Sequence, residues 1–253
     1  MRSMHIDCSM GAAGDMLTAA LLELLPDAER EGFADSFNSL GIPGVIMTAE
    51  PSVKYGISGT HVRMTVNGEE EDGHIHHHSG GHVHHNIGDI ERIVSGLSGI
   101  SREVRKEIME VYSIIAAAES RAHGVPVTEV HFHEVGMMDA IADVTAVCML
   151  MDRIGADRVT AFPLNVGSGT VRSAHGVLPV PAPATAFILE GIPYQAGDIE
   201  SELCTPTGAA LLKHFVTEFR EMPLMTVEAE GFGMGTKDLE RANCVKITLG
   251  ETQ

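Results

Sequence analysis

Two imidazoles and three carboxylates fall within fifteen residues in "VHFHEVGMMDAIADV", Val130 to Val144: His131, His133, Glu134, Asp139 and Asp143. Side chains alternate faces along a strand. A strand over 128–135, "TEVHFHEV", would therefore put His131 and His133 on one side and Phe132 on the other. A helix over 139–153 with Asp139 in its first turn would stack Asp139 and Asp143 on one face. The connection between the two elements is short, so His133, Glu134 and Asp139 must lie near one another. Two imidazoles beside two or three carboxylates suit a borderline divalent ion such as Zn²⁺, Ni²⁺, Co²⁺ or Mn²⁺. Histidines buried and hydrogen-bonded to the aspartates would leave the same trace, and spacing alone keeps both readings open.

A second histidine group lies upstream. "HIHHHSGGHVHH" holds His74, His76, His77, His78, His82, His84 and His85. It follows an acidic stretch, has no periodicity, and is expected to be a mobile loop over 68–86. Many ligand sets in such a run are equivalent, which favours storage or delivery of metal over one defined site. A solvated linker is the plain alternative.

Three further stretches could meet an anion or a cation. "DCSMGAAGDM" reads as a strand end, a small-residue turn and a helix start. It has no lysine and so is not a phosphate loop, but Asp7 and Asp15 could hold a cation. "GSGTVRSAHGVLPVPAPAT" supplies Ser168, Arg172 and His175, with Arg172 a fork for phosphate or carboxylate. "ELCTPTGAA" places Thr205 and Thr207 at a helix N-terminus, where an anion is welcome; a simple capping role for Thr205 explains the same spacing. Cys204 could be a soft ligand or an ordinary buried thiol.

The elements that position these residues alternate. A strand at 4–9 leads to a helix at 15–25 that Pro26 stops. Two strands over 45–67 turn at "YGISG". Helices follow at 88–97 and over 101–124, with Ser101 as cap and Gly124 as stop. After the 139–153 helix come a strand entering "NVGSG", a proline-led helix, the helix opened by Thr205 and Pro206, and a tail hairpin. The tail faintly echoes residues 45–68. The expected fold class is α+β: a mixed sheet covered by helices, with a flexible His-rich loop, in one domain over 1–253.

Composition narrows the function classes. The chain of 253 residues is 44 % apolar, enough for a sizeable core. A formal charge of −18 with only 4 % aromatics argues against nucleic acid. No apolar run reaches the length of a membrane span, no leader layout is present, and four scattered cysteines read as reduced thiols. A cytoplasmic protein is the expectation, with a homo-oligomer left open.

Taken in order, "DCSMGAAGDM", the His-rich loop, "VHFHEVGMMDAIADV", "GSGTVRSAHGVLPVPAPAT", "ELCTPTGAALLK" and "EGFGMGTKDL" resemble the nickel insertion protein family, which matures the nickel-pincer cofactor of lactate racemase. The resemblance covers nearly the whole chain. It implies a chelatase of the lyase class that inserts Ni²⁺ into a pyridinium dithiocarboxylate mononucleotide, using CTP with Mn²⁺. It also implies a base near the ring carbon, with His133, Glu134 or His175 in that role. Ser168, Arg172, Thr205 and Thr207 would then meet the nucleotide. The family carries a further C-terminal domain associated with CTP and manganese, so these residues resemble the N-terminal, nickel-handling part, with that domain as a separate partner and the lactate racemase apoenzyme as a recipient. A non-catalytic nickel metallochaperone or store is the alternative, and a phosphate-binding enzyme with structural histidines is a third reading.

Overall fold

Between the ends of the first strand, β1 (Arg2–Asp7), every side chain is buried, as happens only where a sheet is covered on both faces. The computed structural model describes residues 1–70, 85–132 and 135–252. After β1 come α1 (Gly14–Leu22), α2 (Asp27–Asn38), β2 (Val45–Lys54), β3 (Ile57–Val66) and the short β4 (Glu69–Glu70). Then follow α3 (Ile87–Gly96), α4 (Arg102–His123), α5 (Met138–Ile154), β5 (Arg158–Ala161), β6 (Leu164–Asn165), β7 (Thr170–Ser173) and β8 (Gly176–Pro179). The chain closes with α6 (Pro183–Ile188), β9 (Tyr194–Gln195), α7 (Pro206–Phe215), β10 (Glu218–Phe219), β11 (Met225–Met234) and β12 (Cys244–Thr252).

The main sheet runs β10-β5-β1-β12-β11-β3-β2, with β4 on β3. Strands β10, β5 and β1 are mutually parallel, and β12 is antiparallel to β1 and β11. The sheet is therefore mixed and helix-covered, as expected of an α+β chain. The hairpins β2–β3 and β11–β12, whose sequences echo each other, lie side by side through β3 and β11.

Glycines set how close the first helix layer comes. In β11, Gly231 and Gly233 point to one face, and a Cβ on Gly233 would sit 1.8 Å from the Met16 carbonyl oxygen of α1. A Cβ on Gly231 would sit 2.1 Å from the Ala20 oxygen, one helical turn on. The "EGFGMG" motif thus lets α1 rest its backbone on the sheet. On the far side of α1, a Cβ on Gly14 would meet the Asp143 side chain at 2.5 Å, so α5 is equally close. Outside α5 lies α4, which also packs on α6 and α7.

Caps follow the sequence. Ser101 accepts from the Val104 N–H, Gly124 closes α4 in the left-handed region, and Thr205 accepts from the Gly208 N–H. Two elements differ. Helix α2 has no apolar stripe beyond Phe33 and Phe37, one turn apart and buried with stacked rings; Pro26 precedes its first turn, while α1 already ends at Leu22, short of the expected Leu25. Residues 128–132 do not form a strand, and His133 and Glu134 lie outside the described residues. Val127–Glu129 is a 3₁₀ turn, and Phe132 makes a single bridge with His85. The alternating burial of Val130 and Phe132 is satisfied against helix α4, where Phe132 packs on Tyr112, and not by a sheet. Among the described residues no helix is long and apolar enough to cross a membrane.

His5 in β1 is buried and shares its Nδ1 with the Thr160 hydroxyl at 2.9 Å. Burial lowers its pKa. The charged form is disfavoured in the fold, so the stability of the neutral ring is lost as pH falls from about 6.5, the unfolded value, through the folded one. The difference in Tm between the wild type and His5→Gln is expected to shrink as melts move from pH 7.5 to pH 5.

Candidate functional site

Three of the motifs meet at the carboxyl ends of the parallel strands β1 and β5, where open α/β sheets present their crevices. The turn after β1 closes with the Gly11 N–H on the Cys8 oxygen at 2.9 Å. Gly11 has φ +89°, and a Cβ there would strike the Leu203 oxygen at 2.0 Å. The Ala12 N–H bonds the Leu203 oxygen and the Thr205 N–H bonds the Ala12 oxygen, at 3.0 and 3.1 Å. "DCSMGAAGDM" and "ELCTPTGAA" are thereby stitched together. Asn165 adds the third motif, giving its Nδ2–H to the Ser9 oxygen at 3.1 Å and accepting from the Gly167 N–H at 3.0 Å. Lys237 of "GTKDL" reaches the same place and donates to the Glu202 oxygen at 2.9 Å.

This junction aims the start of α1 at α5. Asp15, in the first turn of α1, donates its backbone N–H to the Asp143 carboxylate. The Asp143 Oδ1 is enclosed and has no hydrogen-bond partner. Burial first, and then the charges of Asp15 and Asp139, push the Asp143 carboxyl well above the usual range. Tyr112 of α4 closes the group from the side, its hydroxyl donating to the Val135 oxygen at 3.1 Å. Burial, then Asp139 and Asp143, raise that phenol. Three carboxylates around one orphaned oxygen concentrate negative charge, which a divalent cation can neutralise.

The histidine run is tied to this place. His85 and Phe132 are paired, with the Phe132 N–H on the His85 oxygen at 2.9 Å. The His85 Nδ1–H faces the Gly136 oxygen at 3.0 Å, in the connection that leads into α5. That bond assigns the proton to Nδ1 and leaves Nε2 with a lone pair, the arrangement metal-binding imidazoles adopt. His74, His76, His77, His78, His82 and His84 lie outside the described residues, as do His133 and Glu134.

The remaining expected site residues separate. Asp139 and Asp143 do lie on one side of α5, with Asp15 beside them. Asp7 does not join them. It accepts from the Ser9 N–H at 2.9 Å and acts on His5, Cys8 and Cys244. His131 is exposed and makes no ion pair with a described carboxylate. The strand at 128–132 that would have aimed it at the aspartates is not formed. His175 is exposed on the β7–β8 turn with its ring 4.7 Å from that of His123. His123 is eleven residues beyond Tyr112 on α4, roughly 16 Å along the axis, so His175 stands away from the cluster. Arg172 is exposed on β7. Ser168 is spent on the Ile199 oxygen at 2.9 Å, Thr205 is a cap, and Thr207 is buried in the first turn of α7. Burial holds the Cys8 and Cys204 thiols in their neutral form, which makes them poor ligands.

One group was not foreseen. Glu107 and Glu110 of α4 and His214 of α7 bring three ligand atoms within 4.8 Å of one another. The i, i+3 glutamates were legible on α4, but nothing in the sequence pairs them with a histidine a hundred residues away.

A family model described as "Nickel insertion protein" matches residues 4–253. A pyridinium-3,5-bisthiocarboxylic acid mononucleotide nickel insertion protein from Desulfitobacterium hafniense (strain DSM 10664 / DCB-2) is 37 % identical over 99 % of this chain. Proteins of the same name from Geobacillus kaustophilus and Clostridium kluyveri are 36 % and 39 % identical over 99 % and 100 % of it. The chain spans 59 %, 60 % and 63 % of the lengths of these three relatives. No solved structure matches.

Proposed function

The chain belongs to the nickel insertion protein family, and from that premise we propose that residues 1–253 are the nickel-handling part of a chelatase acting on a pyridinium-3,5-bisthiocarboxylic acid mononucleotide. The observation that carries this reading is the Asp15–Asp139–Asp143 cluster, with its orphaned Asp143 Oδ1, joined through His85 to the end of the histidine run. Nickel is cargo here. Hard carboxylate oxygens hold it loosely enough to release it, and the two thiocarboxylate sulfurs of the substrate are softer ligands that take it over.

In this proposal the histidine run collects Ni²⁺ and the acidic cluster presents it. Forming the nickel–carbon bond breaks a ring C–H bond, and the proton passes to a base; His133 and Glu134, directly ahead of α5, are assigned that role. Arg172 is assigned to the mononucleotide phosphate. Activation of the substrate by CTP with Mn²⁺ is assigned to a partner domain, the working compartment to the cytoplasm, and the finished cofactor to a lactate racemase apoenzyme. The rival, a nickel store, would place the working metal on the histidine run alone.

The two readings part when the histidines at 74–84 are replaced by serine and the chain is mixed with precursor, CTP, Mn²⁺ and the partner domain. The expected result, read by mass spectrometry of the small molecule, is slow insertion at limiting nickel and normal insertion at excess. A store would lose its nickel and show no nickel-bearing product at either concentration.

A further inference from the structure

The Glu107, Glu110 and His214 group lies apart from the acidic cluster. Charge from Glu107 reaches Cys148 of α5, five residues beyond Asp143, whereas Asp139 and Asp143 act on Tyr112 of α4. The two groups are thus about one and a half helical turns apart along the α4–α5 contact. His214 is the more buried member, with its side chain 13 % exposed against 32 % for Glu107 and 46 % for Glu110. Its ring stands edge-on against Phe215, with centroids 4.6 Å apart, which fixes where Nε2 points.

That nitrogen faces two carboxylates. Glu107 Oε2 is in direct contact with it, and Glu110 Oε2 is 3.9 Å away. An imidazole carries at most one N–H at Nε2, so it satisfies one carboxylate and leaves the other turned towards it without a bond. Lys106 does not resolve this, since it pairs with the opposite oxygen, Glu110 Oε1, at 3.2 Å. A cation in place of the Nε2 proton would satisfy all three groups at once. Ligands at about 2.0–2.2 Å from one ion are roughly 3–4 Å apart, so small side-chain movements close the group from its present span.

We propose that Glu107, Glu110 and His214 form a second divalent-cation site that clamps α4 to α7. One nitrogen and two carboxylate oxygens select a first-row ion such as Zn²⁺, Co²⁺ or Mn²⁺ over Ca²⁺ or Mg²⁺, which prefer all-oxygen shells. The two half-buried glutamates, more open than His214, give the ion its path in. The clamp does not depend on how the acidic cluster handles nickel. It joins the helix that carries Tyr112 to the helix whose N-terminus Thr205 caps.

The test is a titration of the full chain with Co²⁺ alone, followed through the imidazole signals in NMR, with the His214 signal assigned by its loss in His214→Gln. Co²⁺ is expected to shift the His214 ring strongly at about one equivalent beyond what the histidine run takes up. In Glu110→Gln, which keeps the His214–Glu107 pair and hence the fold, that shift is expected to need on the order of tenfold more Co²⁺. A His214 signal unmoved when the other imidazoles are saturated, or an identical titration in Glu110→Gln, overturns the proposal. The histidine run and the Asp143 cluster are intact in both variants, so failure here leaves the nickel-insertion reading untouched.

Discussion

Asp143→Asn is expected to lower nickel insertion by on the order of 100-fold or more, beyond the roughly 10–100-fold that loss of a supporting residue costs a metal site. The substitution keeps the shape of the side chain and leaves an oxygen for the Asp15 N–H. It removes only the charge that, with Asp15 and Asp139, attracts the ion. The same variant carries a second signature of opposite sign. Because the folded Asp143 carboxyl titrates well above 3.8, the metal-free fold loses stability as pH rises above the unfolded value, and the loss is complete once the folded carboxyl ionises. The asparagine variant escapes that loss, so its metal-free Tm at pH 7 should exceed that of the wild type. Added nickel should then raise the wild-type Tm more than the variant's, since only ions preferring the folded state stabilise it. Calorimetry with and without Ni²⁺, beside an insertion assay, reads both. An Asp143→Asn protein that inserts nickel at the normal rate would remove the cluster from the pathway.

Gly233→Val is expected to destabilise the chain by about 3 kcal/mol, the upper part of the overpacking range, or roughly 6–12 °C in Tm for a chain of this length. The added carbons would enter the space of the Met16 carbonyl, which is helix backbone and cannot swing aside. α1 must then lift from β11, and its N-terminus, with Asp15, moves away from Asp143. Gly32→Val makes the control, because nothing lies within 4 Å of that glycine; inside α2 the better helix propensity of Val should leave stability unchanged or raised by about 0.3 kcal/mol. A Gly233→Val melt no lower than that of Gly32→Val would show that α1 does not rest on β11 as described.

The glycine motifs around Gly11 and Gly233 also show how a motif conceals its purpose. "MGAAGDM" reads in the sequence as a small-residue turn beside a possible cation site, and "EGFGMG" as part of a tail hairpin. In the fold, Gly11, Gly14, Gly231 and Gly233 instead admit the chain's own backbone and side chains: the Leu203 carbonyl, Asp143, and the two carbonyls of α1. The motifs serve the site at one remove, by holding α1 where Asp15 meets α5. The strand expected over 128–135 is not formed at 128–132 for a related reason. Alternating burial of Val130 and Phe132 is real, but helix α4 supplies the apolar surface, so a period of two arises without a sheet partner.

By itself the sequence determined where α4 begins and ends and where α7 begins, because the caps Ser101, Gly124 and Thr205 act within a few residues of backbone. It determined that Asp139 and Asp143 share a face, because helical pitch is local, and it pointed to the family through motifs in a constant order. The tertiary structure alone decided that Asp15 completes their group, that Asp7, His131 and His175 stand outside it, that His85 ends the histidine run against Gly136, and that His214 faces Glu107 and Glu110. Those meetings depend on how closely helices and sheet approach across more than a hundred residues of chain, a distance set by packing and by missing side chains, which leaves no periodicity to read.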